Sequence, residues 1–214
     1  FFVTALKTKI QLWGVGTART MRVHWMLHEL GLPYQTFPIK ARSGETQTDS
    51  YLDINPKGKI PTLVHDKFVL SEGFAILRYL SNLSSSEDKD HFQISIEGQA
   101  TYDEWASFIL MELDATSLYV IRRHRDLEEI YGRSSEAVSS AKKYFEKMLL
   151  ARCRELDFSG YVWGNRFSEI DILFTTVLDW AHFAGISLED KFVRYAERMH
   201  SRQAYRLAYD ANYK

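Results

Sequence analysis

The sequence has few of the features that mark secreted, disulfide-stapled or membrane-spanning proteins. Among its 214 residues there is one cysteine, Cys153, and there are four prolines. A single cysteine excludes an internal disulfide framework and is typical of a reducing compartment. No apolar run approaches the roughly 20 residues of a membrane-spanning helix. The first residues, Phe1 to Leu6, lack a basic leader and a cleavage pattern, so no signal peptide is predicted.

An excess of charge of one sign is also missing. The chain carries 27 Lys and Arg residues against 28 Asp and Glu residues, and its net charge of −1 argues against a nucleic-acid-binding surface. Hydrophobic residues make up 45% and charged residues 26%, as in a globular protein. The aromatic share of 14% indicates an aromatic-rich core or an apolar pocket. We therefore expect a soluble, cytoplasmic protein that binds neither nucleic acid nor a membrane.

Turn and strand signals are densest between Asn55 and Ile76. The residues Asn55 to Gly58 have the composition of a turn, and the β-prone runs Thr62 to His65 and Phe68 to Leu70 flank a tight connection. Ser71 then stands where a helix N-cap is expected, ahead of an apolar helical series. A hairpin is thus predicted to lead into a helix whose first backbone N–H groups can hold an anion. By pattern alone, an ordinary hairpin and helix fit equally well.

The residues before this stretch predict the rest of a small α/β domain. Ile10 to Trp13 reads as a strand, Thr17 to Leu30 as a helix that Gly31 ends, and Tyr34 to Ile39 as a second strand. Lys40 to Ser50 is polar with little periodicity and is predicted to be a loop. We interpret residues 1–83 as this domain, with residues 1–8 as an extension ahead of it.

The second half of the chain shows helical patterns only. Residues 84–91 are polar and low in complexity, as a linker is. Apolar residues recur at helical spacing in Phe92 to Arg125 and in Ser135 to Leu156. We therefore predict an all-helical domain over residues 92–214.

One helix start in this half is marked by capping chemistry. Ser168 and Asp171 have the spacing of a capping box, and Phe167 and Ile172 have that of a hydrophobic staple. These residues are predicted to direct folding rather than chemistry.

Three parts of the chain resemble the glutathione S-transferase family. Residues 55–63 match the family pattern N-P-x-G-x-I/V-P-x-L, and residues 71–76 match the block S/Q/T-E-S/G-x-A-I that follows it. Residues 164–171 match G-x-x-F/L-S/T-x-x-D, and the tail from Trp163 to Tyr209 is similar to bacterial beta-class members. The resemblance covers about residues 9–209. It implies a thioredoxin-like domain followed by a helical-bundle domain, and a homodimer.

The resemblance also implies a glutathione-binding set in the first domain. Pro61 matches a cis-proline, next to which the backbone of Ile60 binds the cysteinyl part of glutathione. Lys59 stands where many members have Gln, beside the glycyl carboxylate. Glu72 is expected to bind the γ-glutamyl ammonium, and the Gly73 N–H the γ-glutamyl carboxylate at a helix start. Pro61 cannot donate to a strand ladder, so it is expected at the start of its strand rather than inside it.

Thr17 is the predicted catalytic residue. Glutathione reacts as a thiolate, which a helix N-terminus and a hydroxyl donor stabilise. Thr17 aligns with the catalytic Ser of phi-class members and the Cys of beta-class ones, and a hydroxyl there favours conjugation over reductase chemistry. Thr20, one turn further in, is the alternative hydroxyl. A third interpretation is that Thr17 only caps the helix.

The second domain departs from the beta-class pattern, because Asp114 stands where beta-class enzymes have a His. Asp103 and Ser107 lie on the same predicted helix and are weaker candidates for contacting glutathione across a dimer interface. An aromatic-rich set is predicted to line the pocket for the electrophile, although such residues are more often core. Its members are Tyr102, Phe108, Met111 and Tyr119.

The sequence therefore predicts a cytosolic glutathione transferase that conjugates glutathione to a hydrophobic electrophile. Glutathione is a co-substrate, and neither a prosthetic group nor a metal is expected; His24 and His28 lack a third ligand. A glutathione-dependent peroxidase, dehalogenase or lyase on the same site is an alternative. A non-catalytic binding protein of the same fold is another, which Lys59, Gly73 and Asp114 allow.

Overall fold

The computed structural model describes residues 9–84 and 95–214. These residues form two compact units. The first contains residues 9–84 together with 202–214, and the second contains residues 95–201. The predicted extension, residues 1–8, and the linker beyond residue 84 lie outside the described residues.

The first unit is a mixed α/β structure, as predicted. Its sheet has the strand order β2-β1-β3-β4, in which β1 and β2 are parallel and the other two pairs are antiparallel. This arrangement confirms the thioredoxin-like class of the N-terminal part. Its elements are β1 (Ile10–Val15), α1 (Ala18–Glu29), β2 (Tyr34–Lys40), a 3₁₀ turn (Glu45–Gln47), α2 (Asp49–Leu52), β3 (Thr62–His65), β4 (Phe68–Ser71) and α3 (Gly73–Ser84).

Helix α1 forms where its pattern and capping signals predict it. Thr17 is its N-cap in extended conformation, and Leu30 is its C-cap ahead of Gly31, whose φ is +61°. Val23 and Leu27, one turn apart, have no exposed surface, so this stripe faces the core.

Two local predictions are wrong. The predicted loop from Lys40 to Ser50 contains the 3₁₀ turn and the start of α2, whose N-cap Thr48 accepts the Tyr51 N–H. Ser71 is not an N-cap, because it pairs with Thr62 as the last residue of β4. Glu72, at φ +74°, occupies the cap position instead, and its carbonyl accepts the Ile76 N–H. Strand β4 therefore extends one residue beyond the predicted run, to Ser71, before α3 begins.

The second unit is all-helical, as predicted. The long helix expected from Phe92 is described from Ile96, and it contains two stretches with wider π-type turns. Periodicity does not reveal such turns, which are common near functional sites. The elements are α4 (Ile96–Phe108), a π-helix (Ile109–Leu118), α5 (Tyr119–Ile121), a second π-helix (Arg122–Asp126), α6 (Glu128–Tyr131), α7 (Ser135–Cys153), α8 (Glu169–Phe183) and α9 (Asp190–His200).

The predicted capping box opens α8. Asp171 accepts the Ser168 N–H at 2.9 Å, and it also accepts the Val162 N–H at 2.9 Å and the Tyr195 hydroxyl at 2.7 Å. Burial raises the pKa of the Asp171 carboxyl, while these hydrogen bonds oppose that rise. Asp171, the third residue of α8, thus connects the start of this helix to the loop at Val162 and to α9.

The last helix, α10 (Gln203–Tyr213), does not belong to the helical unit. The predicted helical domain, residues 92–214, therefore ends at residue 201 in the structure. Helix α10 packs along α1, and a bidentate ion pair from Arg202 to Glu29, at 2.6 and 2.7 Å, holds its start. Glu29 also accepts the indole N–H of Trp25 at 2.8 Å. Across residues 9–84 and 95–214, no helix is long and apolar enough to cross a membrane.

A buried histidine network supports α1 from the side of β2. His24 has no exposed surface, and its ring nitrogens lie 2.8 Å from the Tyr34 hydroxyl and 3.2 Å from the Gly14 carbonyl oxygen. The Tyr34 hydroxyl also lies 3.2 Å from His28 Nε2. Burial lowers the pKa of His24 to about 4. His24 is therefore neutral at physiological pH.

This network predicts destabilisation in mild acid. Because the folded-state pKa of His24 lies below its ordinary 6.5, the neutral ring stabilises the fold above pH 6.5. We expect this contribution to be lost as the pH falls from 6.5 to about 4, at a total cost of about 3 kcal/mol in the free energy of unfolding. Urea unfolding across this range measures it. His24→Gln, whose amide does not titrate, is expected to show a flatter pH dependence, and equal slopes for both proteins would contradict the assignment.

Candidate functional site

The strand register brings three chain segments to one edge of the sheet. Trp13 near the end of β1 pairs with Thr62 at the start of β3, and Thr62 pairs with Ser71 at the end of β4. The residues after β1, before β3 and after β4 therefore emerge side by side. These are the segments that hold the predicted site residues Thr17, Lys59 to Pro61, and Glu72 with Gly73.

A glycine allows two of these segments to meet. Gly14 has φ +119°, and a Cβ built on it lies 2.6 Å from the Ile60 Cβ, well inside van der Waals contact. Only glycine fits this backbone conformation at this distance. The end of β1, which leads to Thr17, thus lies against Ile60.

The two candidate hydroxyls at the start of α1 differ in exposure. Thr17 is partly exposed, whereas Thr20 has no exposed surface. They form a reciprocal capping box: the Thr20 N–H donates to Thr17 Oγ1, and the Thr17 N–H donates to Thr20 Oγ1, both at 3.0 Å. The Thr20 hydroxyl lies 2.9 Å from the Thr17 carbonyl oxygen and 2.7 Å from Oδ1 of Asn212 in α10. Of the two threonines, only Thr17 has exposed surface that a ligand can contact.

The electrostatics at this helix start favour an anion. Helix α1 has 12 residues and no acidic side chain in its first turn, so its positive dipole end is not neutralised there. Helix α3, also of 12 residues, starts at the same sheet edge and likewise has no acid in its first turn. A thiolate and a carboxylate can each be stabilised by such a helix start.

A buried cluster holds the segment before β3. The Lys59 carbonyl oxygen accepts the Tyr51 hydroxyl at 2.6 Å and the Asn55 amide at 2.9 Å, and it lies 3.2 Å from the Thr62 hydroxyl. Tyr51, Asn55 and Thr62 are all buried. The Ile60–Pro61 peptide bond that follows is cis, as the resemblance implies, and β3 begins directly after it. The Lys59 side chain itself is exposed.

Glu72 and Gly73 lie at the start of α3. The side chain of Glu72 is exposed, and its carboxylate forms a 2.6 Å ion pair with Lys57. Its positive φ is uncommon for a residue other than glycine, and such conformations cluster at binding sites. Lys57 therefore occupies the carboxylate to which the γ-glutamyl ammonium is predicted to bind.

Comparison with known proteins shows which family the first domain matches. Residues 8–82 match the family described as the N-terminal domain of glutathione S-transferases. Glutathione S-transferase GstA of Escherichia coli O157:H7 is 26% identical over 86% of this chain and 90% of its own length.

The chain is also similar to a plant and to a fungal protein. Glutathione S-transferase F4 of Arabidopsis thaliana is 26% identical over 73% of this chain, and the match spans a little under two thirds of that protein, 64%. By fold, the chain is similar to the glutathione transferase URE2P8 from Phanerochaete chrysosporium, solved with oxidized glutathione. The TM-score is 0.81 at 18% identity, over 98% of this chain and 97% of that one.

The helical unit holds the residues predicted to line the pocket for the electrophile. Tyr102 has no exposed surface, and its hydroxyl donates to Glu169 at 2.6 Å, so it is a core residue and we leave it out of the proposed pocket. Phe108 and Tyr119 are partly exposed, and Met111 is 59% exposed.

The three polar candidates for contacting glutathione, all on the long helix that begins with α4, differ in burial. Asp114, within the first π-helix, is buried at 2% exposure, whereas Asp103 and Ser107 on α4 are exposed. A ligand can therefore reach Asp103 and Ser107 without any rearrangement of the helix, and Asp114 only after one.

Cys153 and the pair His24 and His28 have structural rather than reactive surroundings. Burial raises the pKa of the Cys153 thiol to about 12, so this cysteine is inert at neutral pH. In the part of the chain that the structure describes, no three His, Cys, Asp or Glu side chains are grouped as a metal site requires. His24 and His28 instead share the Tyr34 hydroxyl.

Sequence reasoning missed three contributors to the site. Tyr51 follows directly on a stretch predicted to be a loop, Lys57 reads in the sequence only as part of a turn, and Asn212 lies 195 residues from Thr17 in the sequence. The turn signal around Asn55 is a partial clue to the cluster at the Lys59 carbonyl. No local pattern points to Asn212.

The contact between Gly14 and Ile60 predicts the effect of a methyl group. We expect Gly14→Ala to lower the free energy of unfolding by about 2 kcal/mol or more, because the new Cβ both strains the backbone and displaces Ile60. Urea denaturation measures the loss. Gly16→Ala is the matched control, since Gly16 also has positive φ but a Cβ there meets nothing within 4 Å. An equal loss in both variants would show that strain alone, and not the contact, requires Gly14.

Proposed function

We propose that this protein is a glutathione transferase that ionises the thiol of glutathione and conjugates it to a hydrophobic electrophile. The observation that supports it most is the position of the partly exposed Thr17 at the start of α1, on the same sheet edge as the Ile60–Pro61 segment and Glu72. Relatives named glutathione S-transferases support the same reading.

The proposed chemistry starts with the thiol. The Thr17 hydroxyl donates a hydrogen bond to the sulfur, and the helix dipole of α1 adds positive potential, so the thiolate is stabilised and its proton passes to solvent. The sulfur lone pair then attacks the electrophilic carbon, and the leaving group departs or the unsaturated bond accepts a proton. The protein holds the thiolate before the electrophile arrives, which removes the ionisation step from the barrier.

The remaining contacts place glutathione. We assign the γ-glutamyl ammonium to Glu72 and its carboxylate to the Gly73 N–H at the start of α3. The cysteinyl backbone is assigned to Ile60 beside cis-Pro61, and the glycyl carboxylate to Lys59. The cluster that fixes the Lys59 carbonyl supports this assignment, because it leaves the neighbouring peptide in a single orientation.

Further parts of the proposal concern the second substrate and the assembly. Phe108, Met111 and Tyr119 are proposed as surfaces for an apolar electrophile, in a detoxifying role. We also propose a cytoplasmic homodimer, in which the single cysteine fits a reducing compartment.

The role of Thr17 is tested by Thr17→Val, which keeps the shape and removes the hydroxyl. We expect bound glutathione to ionise below neutral pH on the native protein and near the ordinary thiol pKa of about 8.5 on the variant. Conjugation of an aryl halide at pH 6.5 is expected to fall about a hundredfold, as when an oxyanion donor is removed. Ultraviolet absorbance of the thiolate, titrated with pH, measures the ionisation directly.

Thr20→Val is the matched control. This variant loses only the buried hydroxyl. The thiol pKa of glutathione bound to it is therefore expected to stay closer to the native value than the pKa on Thr17→Val. If instead Thr20→Val abolishes conjugation while Thr17→Val retains the full rate, Thr20 is the activating residue. If glutathione binds the native protein and remains a thiol, the protein is a non-catalytic binding protein.

The assignment of Glu72 is tested by binding. We expect Glu72→Gln to weaken the binding of glutathione about tenfold, because the charge opposite the ammonium is lost. Lys57→Met is the paired variant: it frees the Glu72 carboxylate from its ion pair and is expected to leave affinity unchanged or raise it a few-fold. Isothermal titration calorimetry gives both constants. Weaker binding by Lys57→Met with no effect of Glu72→Gln would assign the recognition of glutathione to the lysine instead.

A further inference from the structure

Helix α10 ends beside the proposed catalytic threonine. Its residue Asn212 is buried at 3% exposure in the last turn of the helix. At the other end of the helix, the Arg202–Glu29 ion pair fixes α10 to α1. The helix is therefore anchored at both ends within the first unit.

The side chain of Asn212 contacts three parts of the α1 start. Its Oδ1 accepts the Gly16 N–H at 3.1 Å and the Thr20 hydroxyl at 2.7 Å, and its Nδ2 donates to the Thr17 carbonyl at 3.2 Å. Its own backbone carbonyl also accepts the Gly16 N–H, at 2.9 Å. The buried Asn212 amide thus bonds to Gly16, to the cap residue Thr17 and to Thr20, the buried partner of Thr17 in the capping box.

These contacts leave the proton of the Thr17 hydroxyl available. The Asn212 amide oxygen carries no proton, so in the 2.7 Å contact the Thr20 hydroxyl must be the donor. The Thr17 carbonyl is bonded by the Asn212 amide, and Thr17 Oγ1 accepts the Thr20 N–H. Each of these bonds is made with a proton other than that of the Thr17 hydroxyl. That proton has Thr20 Oγ1 as a neighbour at 3.0 Å and is able to turn to a thiolate.

We propose that Asn212 is a positioning residue for Thr17, holding the cap so that the Thr17 hydroxyl is aimed at the glutathione sulfur. This inference depends on the proposed function. It makes α10, which follows the helical unit in the chain, part of the thiol-activating site. Because hydrogen bonds to a developing charge depend strongly on donor placement, a small shift of the cap weakens the stabilisation of the thiolate more than the binding of the rest of glutathione.

The experiment compares two ways of loosening α10. Asn212→Ala removes the contacts to the cap, whereas Arg202→Met breaks the ion pair at the opposite end and leaves the cap untouched. Both are expected to lower the melting temperature. Only Asn212→Ala is expected to raise the pKa of the bound thiol, by about one unit, which is about a tenfold loss of thiolate at a given pH. The dissociation constant of glutathione is expected to change less than about threefold, since its other contacts remain.

The thiol pKa comes from the pH titration of thiolate absorbance with glutathione at saturation, and the dissociation constant from calorimetry. Asn212→Leu, which keeps a comparable side-chain volume, replaces the alanine variant if that one does not fold. An unchanged thiol pKa in the folded variant overturns the proposal, as does an equal rise with Arg202→Met. If neither Asn212 variant folds, the residue is structural and the proposal is likewise overturned.

The two proposals fail in different ways. If the native protein does not lower the thiol pKa at all, the proposed function fails. If Thr17→Val raises the thiol pKa and Asn212→Ala does not, the transferase mechanism stands and only the positioning role is lost. A double variant, Thr17→Val with Asn212→Ala, is expected to have a thiol pKa no higher than Thr17→Val alone, because Asn212 acts through the Thr17 hydroxyl.

Discussion

The antiparallel pairing of β3 with both β1 and β4 is the constraint on which the site depends. It aligns Trp13, Thr62 and Ser71 in one row, so that three loops leave the sheet at the same edge. Each loop brings one of the groups proposed to bind glutathione: a hydroxyl at a helix start, a fixed peptide beside a cis-proline, and a carboxylate at a second helix start. A change of register by one residue would turn alternate side chains to the opposite face and separate these groups.

The loops at this edge are fixed by contact and by hydrogen bonding rather than by regular structure. Gly14 permits the end of β1, just before the first loop, to approach Ile60, and the carbonyl before Ile60 is bonded by the buried Tyr51 and Asn55. Buried polar groups of this kind are costly unless paired, so the cluster specifies one arrangement of the backbone. The backbone that is proposed to meet glutathione is thus placed before the ligand arrives, which lowers the entropy lost on binding.

In the same unit, the contacts that hold α10 in place also reach the start of α1, where the proposed catalytic Thr17 lies. The Arg202–Glu29 pair and the Asn212 amide hold this helix against α1, and α1 presents Thr17. The neutral His24 supports α1 from its other side through the Gly14 carbonyl. The cap of α1 is consequently bonded both within α1 and to α10, and of its two threonines only Thr17 has exposed surface.

The sequence by itself determined the class of the fold, the hairpin before α3, the start of α1 at Thr17 and the capping box at Ser168. These depend on turn and cap chemistry within a few residues, and the motif around Pro61 also indicated the family. Only the tertiary structure decided that Glu72 rather than Ser71 caps α3, that Thr20 is buried, that Tyr102 is core and that residues 202–214 join the first unit. Those outcomes depend on strand pairing and on packing between residues distant in the chain, such as Thr20 and Asn212, and no local pattern carries that information.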